Sequence, residues 1–218
     1  MTLTLVQKIA VWAIPVLLAI TLHEAAHAWA ANRLGDTTAK MLGRLSINPL
    51  RHVDLVGTVI VPLLIGVLTR FQFVFGWAKP VPINYNQLKN PRRDMILVTA
   101  AGPGANFIMA LFWAFCLKGA ILLNPQNSMP AQFLFLTSQA GIIINLVLAI
   151  LNLIPVPPLD GSRIVAGLLP PRQAMQYLRI EPFGFLILII LLITGVLGWI
   201  LSPPLYWSLS LIKMLFNL

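Results

Sequence analysis

The chain has 218 residues, 58% of them hydrophobic and only 10% charged, with a mean hydropathy of +0.86. A soluble domain carries roughly 25% charged residues, so there are too few charges here to cover a water-facing surface, and the polytopic membrane class is expected. The net charge of +9 would suit nucleic acid, but the basic residues lie in short loops between apolar runs, as in the cytoplasmic loops of membrane proteins, and nucleic-acid binding is discounted.

The first apolar run covers about residues 5–32, enough to span a bilayer, which needs about 20 residues. It runs into a His/Glu cluster with no small-residue cleavage site before it, which suits an uncleaved helix rather than a signal peptide. A loop over 33–52 follows, then a shorter run, 53–69, containing Pro62 and Gly66. The polar stretch 70–93 is rich in Pro, Asn and basic residues. Two further runs extend over about 95–123 and 132–154; the first holds Cys116, the single cysteine, which can form neither an internal disulfide nor a Cys-rich zinc site. The next loop carries Pro155, Pro157, Pro158, Asp160, Gly161 and Arg163. A fifth run, 183–201, is expected to break at Ser202-Pro203-Pro204, and the last, 205–218, is short enough to be interfacial or a short span. The stretches 41–48 and 73–83 are alternating or Pro-rich, with strand-like character. No repeat or low-complexity tract interrupts the pattern. These elements predict an all-α polytopic membrane protein, a single integral membrane domain over 1–218 with about five to six membrane-embedded helices.

Charge sets the expected topology. Of the 15 Lys and Arg residues, four lie in 33–52, five in 70–93 and three in 153–182, and the positive-inside tendency makes all three loops cytoplasmic. The run 53–69 would then enter and leave on one side, as a re-entrant hairpin whose irregular backbone is buried in protein. Helix one would carry residues 23–27 towards its cytoplasmic end, and the fourth run would deliver Asp160 to the same side.

Residues 23–27 read His-Glu-Ala-Ala-His. On a helix, residues four apart share a face, so His23 and His27 can hold one ion together. Glu24 lies within reach of water at that ion, the HExxH arrangement of zinc peptidases in which Glu takes the water proton. A satisfied polar pair of histidines is the bland alternative, but three ionisable residues in five positions of an apolar run are costly without a function. Catalytic zinc usually takes three protein ligands. The remaining candidates are His52, Asp36, Asp54, Asp94, Asp160 and Glu181. Asp160 stands out because prolines stop the helix before it and Gly161 follows it. A simple Asx turn at a helix end would account for the same residues.

The joint pattern resembles the site-2 protease family of intramembrane metalloproteases (peptidase M50). The resemblance is carried by His23-Glu24-x-x-His27 and by Asn152, Pro155 and Pro158-Leu159-Asp160-Gly161. Gly43 to Pro49, Gly76 to Pro82 and Ala101-Gly102-Pro103-Gly104-Ala105-Asn106 extend it over most of the chain. It implies an intramembrane zinc metalloendopeptidase binding one Zn2+ per chain through His23, His27 and Asp160, with Glu24 as base and Asn152 as an active-site oxyanion donor. Asn106 is a candidate substrate contact, though interhelical hydrogen bonding explains it equally well, and Asn145 is read as such structural glue. His52 is a candidate active-site neighbour; an interfacial pair with Asp54 is an equal account. The resemblance further implies small membrane-associated β segments near the active site at 41–48 and 73–83, where an exposed edge could pair with an unwound substrate. Expected partners are transmembrane proteins or signal peptides as substrates, and the lipid bilayer. Many relatives carry a PDZ or CBS domain; this chain has room for neither and resembles the small branch. A prokaryotic plasma membrane, with the active site towards the cytoplasm, is the expected location. The competing class is a non-proteolytic zinc-binding transporter or sensor, which would need the ligands but not Glu24 beside them.

Overall fold

A computed structural model describes residues 4–49, 79–126 and 128–218, together with Asp54, Gly57, Ile60 and Leu64. His52, most of the run 53–69, and residues 73–78 of the second strand-like stretch lie outside the described residues. The regular elements among the described residues are all helices. Neither 41–48 nor 79–83 is paired as a strand.

Helix α1 (Leu5–Leu34) begins at a capping box in which Thr4 Oγ1 accepts from Gln7 N and Gln7 Oε1 accepts from Thr4 N. It ends at Gly35, whose φ of 117° is open to glycine, and Asp36 N closes the turn on Ala31 O at 2.9 Å. The one-turn helix α2 (Thr38–Met41) follows. A 3-10 turn at Tyr85–Gln87 precedes α3 (Pro91–Leu122), which starts with proline at its first position, where the missing N–H costs nothing. Helix α4 (Met129–Asn152) is capped by Ser128 Oγ, which accepts from Ala131 N. Four shorter or broken pieces complete the chain: α5 (Asp160–Leu168), α6 (Pro171–Leu178), α7 (Glu181–Ile193) and α8 (Val196–Phe216).

Among the described residues four helical stretches, Leu5–Leu34, Pro91–Leu122, Met129–Asn152 and Pro171–Ile193, are long and apolar enough to cross a membrane. The last break differs from the sequence expectation. The chain turns at Thr194-Gly195, where Gly195 has φ 77°, and α8 continues through Pro203 and Pro204. Proline is tolerated inside membrane helices; one residue before the pair, Ser202 Oγ donates to Gly198 O at 2.6 Å.

Helices α1, α3 and α4 form the core. Half of the most apolar window of α4 is buried, against 6% for 171–193, so α4 is central and α7 peripheral. Small residues let the backbones approach, which is how helices associate where lipid is as apolar as leucine. Ala19, Ala28 and Ala31 of α1, Ala110, Ala114 and Ala120 of α3, and Ala149 of α4 are fully buried. Gly141 leaves the space that the Trp113 ring fills, and Trp113 then packs with Leu117, Ile142, Leu146, Ile150 and Ile212. Lys89 N donates to Leu34 O at 3.0 Å, which joins the end of α1 to the start of α3. The end of α1, the start of α3 and the end of α4 therefore meet at one end of the bundle.

Candidate metal centre

Helical spacing puts His23 and His27 one turn apart on the buried face of α1, where each is under 8% exposed. Their rings meet edge to face with Nε2 atoms 3.0 Å apart. What the other ring nitrogen of each does fixes the tautomers. His27 Nδ1 lies 2.8 Å from Val98 O of α3, an atom that can only accept, so Nδ1 carries the hydrogen. His23 Nδ1 lies 2.6 Å from Asn106 Oδ1. The orientation of that amide is set by its own donations, Nδ2 to Ala19 O at 3.1 Å and to Asn145 Oδ1 at 2.9 Å. Asn145 is fixed in turn by Nδ2 donating to Gly141 O at 2.8 Å. In its neutral form each imidazole therefore directs an Nε2 lone pair to the same point.

Asp160 completes the group. The prolines after α4 end that helix, and Asp160 opens α5 with Oδ2 at 3.1 Å from His23 Nε2 and 3.3 Å from His27 Nε2. With the hydrogens on the Nδ1 atoms, these short approaches are lone pair against lone pair, and Asp160 Oδ2 is buried without a hydrogen-bond partner. Three ligand atoms converging on one point fit a cation. Two imidazole nitrogens and a carboxylate, each imidazole held from behind by a carbonyl oxygen, is a zinc donor set with its outer partners in place.

Two glycines make room for this. A Cβ on Gly102 of α3 would lie 2.7 Å from His23 Cε1 and closer still to His27 Nε2, so only glycine lets α3 pass the two rings. A Cβ on Gly161 would meet Leu153 O and Ile154 O, so glycine lets α5 fold back on the end of α4. Glu24, one residue along from His23, is half-buried, and its Oε2 accepts from Val81 N at 2.8 Å.

The remaining sequence candidates divide. Asn106 is fully buried, with its oxygen given to His23 and its nitrogen to Ala19 and Asn145. It stands behind His23, inside the helix core, rather than at a surface a substrate would reach. Asn145, read from sequence as interhelical glue, is the next member of that relay. Asn152 is half-buried at the end of α4 and donates Nδ2 to Leu148 O at 3.0 Å. Asp54 accepts from Gly57 N through Oδ1, while His52 is outside the described residues. Sequence reasoning missed Gly102 as a determinant of ring placement and Val81 as a partner of Glu24. The Gly102-Pro103-Gly104 run was the available signal for the first; nothing local signalled the second.

Fold and donor set together define a class: a polytopic membrane protein whose helices bring together a His-His-Asp group able to hold a metal, with a glutamate beside it, the equipment of a metallopeptidase. The peptidase family M50 model matches residues 116–195. YwhC of Bacillus subtilis (strain 168), named as a zinc metalloprotease, is 37% identical over 209 residues, covering 94% of this chain and 90% of that protein. Rip2 of Mycolicibacterium smegmatis, with the same kind of name, is 30% identical over 194 residues, covering 88% of this chain and 70% of Rip2. Rip2 of Mycobacterium tuberculosis (strain H37Rv) is 27% identical over 214 residues, 94% of this chain and 74% of its own length. No solved structure matches the chain. The chain belongs to peptidase family M50 and is a zinc-dependent membrane metalloprotease.

Proposed function

We propose that this protease cuts peptide bonds within or beside transmembrane helices of membrane-protein substrates, using one zinc ion per chain held by His23, His27 and Asp160. The observation that carries the reading is the convergence of His23 Nε2, His27 Nε2 and Asp160 Oδ2 on helices of membrane-spanning length, with Glu24 alongside. Bound there, zinc supplies Lewis acidity to the scissile carbonyl and the attacking water. Glu24 takes the proton from that water on a carboxylate oxygen and returns it to the leaving nitrogen. Asn152 has a second amide hydrogen besides the one given to Leu148, and we assign that donor to the developing oxyanion. A zinc transporter or sensor needs the ligands but no base next to them, so Glu24 favours hydrolysis.

The substrates are taken to be membrane proteins or signal peptides whose helix unwinds locally. The stretches 41–48 and 73–83 would lend such a chain a strand edge beside the site, and the whole of 1–218 would act as one membrane domain of about five to six embedded helices. The clustering of Lys and Arg in the three loops at the metal-centre end supports a site facing the cytoplasm, and the bacterial relatives support a prokaryotic plasma membrane. The test is cleavage of a tagged single-span substrate by the purified protein in liposomes, with the cut mapped by mass spectrometry. A cut inside or next to the apolar span, abolished by Glu24→Gln, is the expected result. Cuts confined to a remote soluble segment of the substrate would overturn it.

A further inference from the structure

We propose that Asp36 is a positioning residue for the general base: it anchors the Pro80–Asn84 segment so that the Val81 N–H holds Glu24. This inference rests on the reading of Glu24 as the base.

Asp36 is fully buried just past the end of α1, and no salt bridge reaches it among the described residues. Burial of a lone carboxylate is costly unless its oxygens are hydrogen-bonded. Both are. Oδ1 accepts from Thr38 N at 2.8 Å, and Oδ2 accepts from Asn84 N at 2.7 Å across 48 residues of sequence. Two backbone donors facing one side chain require two acceptors and no donor, which a carboxylate supplies and an amide does not. The bond to Thr38 ties Asp36 to the start of α2; the bond to Asn84 is the one that reaches the far segment.

Three residues before Asn84, the same segment meets the active site. Val81 N donates to Glu24 Oε2 at 2.8 Å, and Pro80 and Pro82 on either side have no N–H to offer in its place. The Val81 side chain is buried against Ala28 and Ala39, with Leu45 and Ile83 alongside, which fixes the depth at which its N–H arrives. From 81 to 84 the chain can extend only about 10 Å, and Pro82 stiffens it, so a shift at Asn84 is felt at Val81. Glu24 thus has one oxygen held by protein, leaving Oε1 as the proton-accepting atom in one orientation. The anchor at 36 and the base at 24 are joined through this strap as well as through α1.

The test uses the zinc-loaded full-length chain and a transmembrane substrate. In one variant, Asp36→Asn turns an amide hydrogen towards one of the two backbone donors. In the other, the amide of Val81 is replaced by an ester through incorporation of its α-hydroxy analogue, which removes only the N–H. The expected result for both is a fall in kcat on the order of 10- to 100-fold, the scale of a small misplacement of a reacting group, with KM and zinc content unchanged. A purely structural Asp36 would lower yield or zinc content and leave kcat per zinc-loaded molecule intact, which would overturn the proposal. An ester at 81 that leaves kcat unchanged would overturn it as well, and decides the matter alone if Asp36→Asn does not fold. Glu24→Gln is run beside them: if it still cleaves, the base assignment itself is wrong and the positioning role falls with it, whereas an inactive Glu24→Gln beside a fully active ester variant removes the positioning role only.

Discussion

Replacing Gly102 by alanine sets local and tertiary physics against each other. Gly102 lies inside α3, and in a helix interior alanine is favoured over glycine by about 0.8–1.0 kcal/mol. On helix propensity alone the variant should be more stable. The added Cβ, however, would stand 2.7 Å from His23 Cε1 and nearer to His27 Nε2 and Cε1, where carbon contacts normally settle at about 3.5–4.0 Å. The rings must therefore retreat by about 1 Å, while metal-ligand distances tolerate only about 0.2 Å. Zinc affinity is expected to fall at least as far as when an outer partner of a ligand is lost, about 10- to 100-fold, or roughly 1.4–2.7 kcal/mol at 1.36 kcal/mol per decade. The assay is competition for zinc with a chromophoric chelator in detergent, alongside thermal unfolding of the metal-free protein. Weakened zinc binding with the metal-free protein still folded is the predicted outcome. Wild-type zinc affinity in Gly102→Ala would refute the reasoning, because the rings could not then be packed against α3 as described.

Other expectations follow from the same contacts. Asn106→Ala leaves His23 Nδ1 without its acceptor and should weaken zinc binding about 10- to 100-fold; Asn145→Ala, one bond further back, should weaken it less, which the same chelator titration checks. Chelation should lower the melting temperature and added zinc restore it, since a ligand at 100 times its Kd stabilises by about 2.7 kcal/mol. A calorimetric scan that does not respond to zinc would contradict the site. Gly184→Ala should destabilise by about 1–3 kcal/mol, the range for overpacking, because its Cβ would collide with Pro157 O and push α7 away from the loop that leads to Asp160; denaturation in detergent measures it.

The His-His-Asp group that the structure brings together was legible because each member announces itself locally. His23 and His27 are charged or polar residues at helical spacing in an apolar run, and Asp160 follows a proline stop. Membrane length was equally plain: the runs near 5–32, 95–123 and 132–154 correspond to α1, α3 and α4 within a few residues. What the sequence could not supply was partnership at a distance. Asn106 and Asn145 are 39 residues apart and behave as one relay only once α3 and α4 pack. Asp36 looks like a loop carboxylate until Asn84 is folded onto it. The break expected at Ser202-Pro203-Pro204 failed for a different reason: proline is a breaker in water but is tolerated inside membrane helices, and the left-handed Gly195 turned the chain earlier. The loop 153–182 showed no helix because α5 and α6 are only nine and eight residues long, too short for periodicity to stand out.

The central claim is that His23, His27 and Asp160 hold a zinc ion for which Glu24 serves as base. Its most direct test measures zinc content and substrate cleavage together in purified wild type, Glu24→Gln and Asp160→Asn. The account predicts that wild type binds zinc and cleaves, that Glu24→Gln binds zinc and does not cleave, and that Asp160→Asn loses both. Cleavage by Glu24→Gln at the wild-type rate, or full zinc occupancy in Asp160→Asn, would contradict it.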